Sequence, residues 1–105
     1  MKSYKEIELT EDFKVIDRVT IGVMCDVEEE LETPFSSVNF MFVKNQVILL
    51  KHLSNKVIGQ NFTNEQIGEF FDNEMERNGN LDKIASQIKK MFAEKKKAKK
   101  QNQKK

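Results

Sequence analysis

Two amphipathic helices joined by a tight turn are the most constraining pattern in this sequence, between Phe62 and Phe92. Thr63 is placed to cap the first helix, and Gln66 three residues later completes a capping box. Phe62, just before the cap, is placed to pack on Ile67 as a hydrophobic staple. The apolar residues that follow recur at helical spacing and predict a helix with one apolar face, formed by Ile67, Phe70, Phe71 and Met75.

A glycine ends the first helix and allows a second to begin. Gly79 suits the left-handed residue that follows a helix, and Asn80 is placed to cap the next one. The second helix also has one apolar face, formed by Leu81, Ile84, Ala85, Ile88, Met91 and Phe92. Because the connection is short, the sequence predicts an antiparallel helical hairpin.

The amino-terminal third contains strand and helix patterns that compete. Residues 4–9 alternate between polar and apolar side chains and predict a short strand. From residue 15 to residue 27 the odd positions are mostly apolar and β-branched, which is typical of a strand, and Gly22 disfavours a helix. Apolar residues at spacings of three and four also fit a helix there, capped by Thr10. Both structures remain open for this segment.

The middle of the chain poses the same choice. The dipeptide Thr33-Pro34 is typical of a helix start, whereas the alternation of apolar residues over 38–42 fits a hairpin of strands that turns near 44–46. In either structure, large apolar residues of this segment are expected to meet those of the closing helices in one core: Phe42, Ile48, Leu49 and Leu53 against Ile67, Phe71, Ile84 and Ile88. The sequence thus predicts an α+β fold, with a short N-terminal strand or strands and a helix-rich body that ends in the antiparallel helical hairpin.

Charge divides the 105-residue chain into an acidic body and a basic tail. Residues 94–105 carry seven lysines and one glutamate, a net charge of +6, whereas residues 1–93 carry eleven lysines and arginines against sixteen acidic residues, a net charge of −5. Because like charges repel and Ala98 is the tail's one apolar residue, we expect a disordered tail beside a single small domain at residues 1–93. A tail without arginine or aromatic residues also argues against nucleic acid as a specific partner.

The sequence contains no recognisable catalytic, cofactor-binding or metal-binding pattern. His52 is the one histidine and Cys25 the one cysteine, which excludes an internal disulfide and a zinc site built from several of them. His52 has no nucleophile near it in sequence, and Cys25, among valines, is expected to pack rather than react. The acidic residues from Asp26 to Glu32 match no calcium loop. We therefore expect a protein that is not an enzyme and that binds no cofactor or metal.

No membrane partner is expected either, because the sequence lacks a run of about 18 apolar residues. Its amino terminus lacks the apolar core of a secretory signal, and a single cysteine suits a reducing compartment. We expect the protein to act in the cytoplasm.

Four segments of the second half form a recognisable series: the apolar Val47–Leu53, the linker Gly59–Thr63, the opening Thr63–Ile67 followed by Phe70, Phe71 and Asp72, and the opening Asn80–Ile84 followed by Ile88. This series resembles the carboxyl-terminal half of the tail assembly chaperones of long-tailed, lambda-like bacteriophages. Proteins of that family have a similar length and often begin with a short strand such as the one expected at residues 4–9. The resemblance loosely covers residues 4–92.

The resemblance implies a non-enzymatic chaperone that binds the tape measure protein and recruits tail tube subunits in the cytoplasm of the host cell. Such a protein would lay an apolar face against the apolar helix of the tape measure protein. The residues expected on that partner-binding face are Phe70, Phe71, Met75, Met91 and Phe92. The family also makes a longer form by ribosomal frameshifting, and the lysine runs at 95–97 and 99–100 are compatible with slippery adenine runs.

A second hypothesis rests on charge: a small acidic regulatory or inhibitor protein, encoded by a phage or a plasmid. Its contact site would be the densest acidic cluster, formed by Asp26, Glu28, Glu29, Glu30 and Glu32. Such a cluster would bind a basic surface of a host protein, because opposite charges accelerate encounter. Neither hypothesis specifies an oligomeric state.

Overall fold

The computed structural model describes residues 4–103, and it describes side chains for residues 4–92. Two strands are followed by four α-helices within this range, with a one-turn 3₁₀ helix at Phe35–Ser37. The elements are β1 Glu6–Thr10, β2 Phe13–Ile16, α1 Ile21–Leu31, α2 Val43–Ser54, α3 Asn64–Asn78 and α4 Asp82–Gln103. The predicted α+β fold, with strands at the amino terminus and a helix-rich body, is confirmed.

The two strands form an antiparallel hairpin that covers one side of the core. Ile7 pairs with Val15, and Glu8 pairs with Lys14. The turn is tight because the hydroxyl of Thr10 accepts the backbone N–H of Asp12 at 3.1 Å. The apolar side chains that this hairpin buries are Leu9, Phe13, Val15 and Ile16. The strand predicted at residues 4–9 is present, shifted by one to two residues.

A glutamine side chain closes the outer edge of β2. The Gln60 side-chain carbonyl accepts the backbone N–H of Lys14 at 3.0 Å, and its amide donates to the Lys14 carbonyl at 2.9 Å. The same amide donates to the Ser54 carbonyl at 2.7 Å. One side chain therefore joins the hairpin to the end of α2.

Residues 15–27 contain the end of a strand followed by a helix, so each of the two predicted structures is present in part of this segment. The strand ends at Ile16, and α1 begins at Ile21, where the Thr20 hydroxyl accepts the backbone N–H of Val23 at 3.2 Å. The predicted cap at Thr10 is wrong, because that hydroxyl serves the hairpin turn. Val23 and its neighbour one turn later, Val27, are fully buried, so packing outweighs the strand preference of β-branched residues.

The middle of the chain is helical, and the alternative hairpin of strands is wrong. The Thr33-Pro34 dipeptide starts only the one-turn 3₁₀ helix, and the long helix α2 begins at Val43. This helix packs against α1, α3 and β2. Because it is covered on several sides, it buries the three consecutive residues Ile48, Leu49 and Leu50, and also Leu53.

The predicted capping box and glycine turn of the closing helices are confirmed. The Thr63 hydroxyl accepts the backbone N–H of Gln66 at 3.2 Å, and the Gln66 side chain accepts the Thr63 N–H at 2.9 Å, which confirms the capping box. Gly79 ends α3 with φ of 75°, in the left-handed region that favours glycine. Asn80 accepts the backbone N–H of Asp82 at 3.0 Å. The closest backbone neighbours of these helices are other elements, since α3 lies beside α2, and α4 beside β1.

The core contains the residues expected of it, with one exception. Seven of them are buried in a single cluster: Ile48, Leu49, Leu53, Ile67, Phe71, Ile84 and Ile88. Phe42, the eighth, lies on the surface with 61% of its area exposed. It precedes the first turn of α2 rather than lying within the helix, and so it does not share the buried face.

The helix α4 continues past the core to Gln103, into the segment for which the sequence predicts disorder. The side chains from residue 93 onward, and the whole of residues 1–3 and 104–105, lie outside the described residues. The disordered tail and the domain boundary at residue 93 stay predictions. Within residues 4–103, none of the helices has the length and apolar character needed to cross a membrane.

Candidate protein-docking surface

The loop that precedes α2 is held in place by side-chain hydrogen bonds. Asn45 donates to the Asn39 carbonyl, and Gln46 donates to the Phe40 carbonyl, both at 2.8 Å. The Asn39 side chain accepts the backbone N–H of Met41 at 2.9 Å. Asn45 is itself buried, so a hydrogen bond from a buried side chain fixes the conformation of this loop.

This fixed loop exposes three consecutive apolar side chains. Met41 is 85% exposed, Phe42 61% and Val43 51%. Phe42 occupies the position that caps α2, and it makes no side-chain capping hydrogen bond. Serine, threonine, asparagine or aspartate stabilises a helix at that position, and phenylalanine cannot. A residue that breaks a local rule without a visible gain in stability marks a candidate functional position.

An aromatic groove lies beside the loop. Its rings are Phe35, Phe40 and Phe92, with centroid distances of 5.3 Å between Phe35 and Phe40 and 5.6 Å between Phe40 and Phe92. These rings line an open depression of about 740 Å³, which we call the aromatic groove. Its other lining residues are Ser36, Val38, Met41, Gln46, Ala85, Ile88 and Lys89. Among the described side chains, Lys89 is the one charged residue of its lining. Such a surface suits an apolar segment of a partner.

A second groove lies between α2 and α3. This depression has a volume of about 630 Å³, and we call it the acidic groove. Its acidic lining residues are Glu65, Glu69 and Asp72. Its other lining residues are Val43, Val47, Gly68, Phe71, Met75 and Leu81. Met75 is 46% exposed. The two grooves flank the loop, because Met41 lines the first groove and Val43 the second.

The five residues predicted to form one partner-binding face are separated in the structure. Phe71 and Met91 are buried in the core, and Phe70 packs its ring on Phe13 at 5.0 Å. Met75 lines the acidic groove, whereas Phe92 lines the aromatic groove. The expectation of one shared exposed face is wrong, because α3 and α4 lie against different elements. Partner binding through Met75 and Phe92 stays a prediction.

The exposed loop is the feature that sequence reasoning missed. The alternation over residues 38–42 predicts a strand, and the Thr33-Pro34 start predicts a helix with Phe42 on its buried face, so neither pattern predicts an exposed loop. The signal that points to the surface is Phe42 itself, an apolar residue directly before a helix that starts at Val43.

The predicted acidic cluster is largely engaged within the protein. Glu30 accepts hydrogen bonds from Lys51 and His52 at 2.7 Å each, and from Asn64 at 2.9 Å. Burial by itself raises the pKa of Glu30, but these hydrogen bonds outweigh it and lower the pKa from 4.5 to about 2. Glu28 accepts the backbone N–H of Phe35, and Asp26 pairs with Lys56. Glu30 therefore links α1 to α2 and α3. His52 takes part in this link, because its partner is Glu30.

A buried carboxylate, not singled out from the sequence, holds the arginine that joins α3 to the strand hairpin. Glu74 is buried and accepts hydrogen bonds from Arg77 at 3.0 Å and from Asn78. Arg77 also donates to Asp12 at 3.0 Å, and the bonds to Asp12 and Glu74 raise the pKa of Arg77. Among the described side chains, every buried nitrogen and oxygen has a hydrogen-bond partner. The hydrogen bonds among Glu74, Arg77 and Asp12 therefore stabilise the fold.

Cys25 is exposed, so the expectation that it packs in the core is wrong. It lies two residues from Val23 and from Val27, which places it on the opposite face of α1. Among residues 4–92, no group of three or more His, Cys, Asp or Glu side chains is arranged to hold a metal ion.

Comparison of the chain with protein-family models, with curated proteins and with solved structures finds no match. The class of protein is therefore defined by its fold and surface: a small α+β protein with a fixed apolar loop between two open grooves.

Proposed function

We propose that this protein is a non-enzymatic assembly chaperone that binds an apolar helix of a partner protein at the loop 38–43 and the aromatic groove. The partner proposed from the family resemblance is the tape measure protein of a long-tailed phage, with tail tube subunits recruited to the complex. The cytoplasm of the host cell is the proposed site of action. The observation that carries the proposal is the exposure of Met41, Phe42 and Val43 on a loop of fixed conformation.

Shape and chemistry of the surface support a helix as the bound element. A helix binds in an apolar groove by placing residues three and four positions apart against it. The aromatic rings of Phe35, Phe40 and Phe92 offer large contact areas next to the exposed Phe42. Aromatic residues near the centre of a contact surface supply much of the binding energy.

The fixed loop also supports tight binding. Ordering a flexible side chain or loop during binding costs free energy, and that cost is smaller when the loop already has its bound conformation. Asn45 and Gln46 hold the loop backbone in the free protein. The apolar side chains are thus presented without a preceding folding step.

Co-expression with the tape measure protein of the same genome tests the proposal. The wild-type protein should keep that partner soluble and be recovered with it. Phe42→Ser should weaken both effects because it removes the central apolar contact, whereas Ile58→Ser, at a residue 84% exposed and outside both grooves, should change neither. Circular dichroism verifies that both variants are folded.

Two results would contradict the proposal. A folded Phe42→Ser variant that solubilises the partner as well as wild type rejects the docking surface. A wild-type protein that never binds the tape measure protein rejects the chaperone assignment.

The second candidate function is a small acidic regulatory or inhibitor protein that binds a basic surface of a host protein. The negative charge of residues 1–93 favours it. The internal contacts of Asp26, Glu28 and Glu30 shift its candidate contact site away from the cluster 26–32 and toward the carboxylates of α3. Partner binding that weakens steeply with salt and survives Phe42→Ser would favour this function over the chaperone.

A further inference from the structure

The acidic groove is a depression with a mixed apolar and acidic lining, and no described part of the chain fills it. Val43 and Met75, at 51% and 46% exposure, lie on its two sides. Exposed apolar side chains on facing elements are typical of a surface that a partner covers. This surface lies on α2 and α3 and shares Val43 with the loop 38–43, but it shares no lining residue with the aromatic groove.

Gly68 keeps the acidic groove open. It lies inside α3, where glycine costs about 1 kcal/mol relative to alanine. A Cβ atom added to Gly68 would meet no atom within 4 Å, so packing within the protein does not require glycine there. A glycine in such a position allows the backbone of a bound segment to approach the helix closely.

Among the described residues that line the groove, every charged side chain is acidic. Glu65, Glu69 and Asp72 are exposed and follow one another at spacings of four and three residues, along one edge of α3. With a rise of about 1.5 Å per residue, they extend over about 10 Å of helix. Among residues 4–92, none of these three carboxylates has an ion-pair partner.

We propose that the acidic groove binds an amphipathic helix of a partner protein whose apolar stripe is bordered on one side by lysines or arginines. The apolar stripe would contact Val43, Val47 and Met75, and its backbone would lie near Gly68. The basic residues, at the same spacing of three and four, would pair with Glu65, Glu69 and Asp72. Opposite charge orients the helix in the groove and excludes acidic helices.

A pair of synthetic peptides tests the proposal. The probe is a short helical peptide built of leucine and lysine, with leucines on one face, and its matched control has glutamate in place of every lysine. Fluorescence anisotropy should show binding of the lysine peptide alone. NMR chemical-shift changes on the full chain should cluster at Val47, Gly68 and Met75.

Variants of the protein distinguish a specific groove from general charge attraction. Gly68→Leu should weaken the lysine peptide about tenfold by filling the groove, whereas the smaller Gly68→Ala should have a much smaller effect. Glu69→Lys should weaken binding strongly. Glu29→Lys makes the same charge change at an exposed helical position outside both grooves, and it should weaken binding far less.

Several outcomes would overturn the proposal. Equal losses of peptide affinity in Glu69→Lys and Glu29→Lys would show that net charge alone drives the binding. Chemical shifts that cluster elsewhere, or equal binding of the two peptides, would reject the groove. Self-association of wild type that Gly68→Leu abolishes would assign the groove to a second copy of the chain. If Gly68→Leu fails to fold, the comparison of Glu69→Lys with Glu29→Lys decides.

Discussion

The loop before α2 and the helix itself are neighbours in sequence and both contain large apolar residues, yet those of the loop tip are exposed and those of the helix are buried. Leu49, Leu50 and Leu53 are fully buried, whereas Met41 and Phe42 are largely exposed. Packing on α1, α3 and β2 holds the helix in place. Hydrogen bonds from two side chains of α2 hold the loop, and they leave its apolar groups facing solvent.

This difference shows that apolar composition does not by itself decide what is buried. The helix residues contribute to folding through removal of apolar surface from water. Met41 and Phe42 contribute little in this way because most of their surface stays in water, and so their apolar character is free to serve binding. Substitutions in the two regions should therefore separate stability from function.

The largest expected effect comes from placing the same charge at a buried and at an exposed apolar position. Ile84→Asp buries a charge without a partner at a fully buried position, and it should lower the free energy of unfolding by more than about 4 kcal/mol. Ile58→Asp makes the same change at an exposed position and should stay within about 0.5 kcal/mol of wild type. Thermal and urea denaturation measure both. Equal stability of the two variants would show that Ile84 is not part of the core.

The cap of α3 should have a smaller effect. Thr63→Ala removes the hydroxyl that accepts the backbone N–H of Gln66, and it should lower the free energy of unfolding by about 1 kcal/mol. Thr63→Ser keeps the hydroxyl and should retain most of the stability. Urea denaturation of both variants tests the cap, and a loss of the same size in Thr63→Ser would contradict it.

The Glu30 contacts should make stability depend on pH. Because the pKa of Glu30 is lowered to about 2 in the folded protein, its charged form stabilises the fold above about pH 4.5, and this contribution is lost as the pH falls through about 2. Glu30→Gln should lower the free energy of unfolding at neutral pH by about 1 kcal/mol, after allowance for screening by solvent. The variant should also lose part of the pH dependence between 4.5 and 2.

Urea denaturation at several pH values measures this effect. Glu29→Gln, at an exposed glutamate of the same helix, serves as the control and should leave the profile unchanged. A Glu30→Gln profile that matches wild type at every pH would show that the Lys51, His52 and Asn64 contacts add no stability.

The smallest expected effect has the opposite sign. Phe42→Ser places a good capping residue before α2 and removes a mostly exposed side chain, so it should raise the free energy of unfolding by about 0.5 kcal/mol. Phe42→Leu stays apolar, cannot cap the helix and should leave stability nearly unchanged. Differential scanning calorimetry can resolve the two. A marked loss of stability in Phe42→Ser would place Phe42 with the core residues and remove the distinction between the two regions.

Local rules made the closing helices predictable. At Thr63, Gln66 and Gly79 the capping and turn preferences agree with the packing, so the sequence signal and the structure coincide. In α1 they disagree, because Val23 prefers a strand locally but packs as part of a helix. Local patterns therefore predicted the start of α3 and the turn that ends it, and they left residues 13–53 open.

The candidate site depends on contacts that no local pattern contains. The loop conformation is set by Asn45 and Gln46, polar residues six positions away whose partners are backbone carbonyls. The acidic groove forms where α2 meets α3, and nothing in either helix alone predicts its width. Sequence reasoning named Met75 and Phe92, which line the two grooves, but it also named Met91, which is buried.

The amide of Gln60 has a consequence for association between strands. A two-stranded sheet has open edges at which a strand from another molecule can add, and this is a common route to aggregation. At β2, Gln60 already occupies the backbone N–H and carbonyl of Lys14, so an incoming strand must displace it. The positive charge of Lys14 further opposes edge-to-edge pairing. One side chain thus acts as a substitute for a third strand and protects a very small sheet from fibril-like growth.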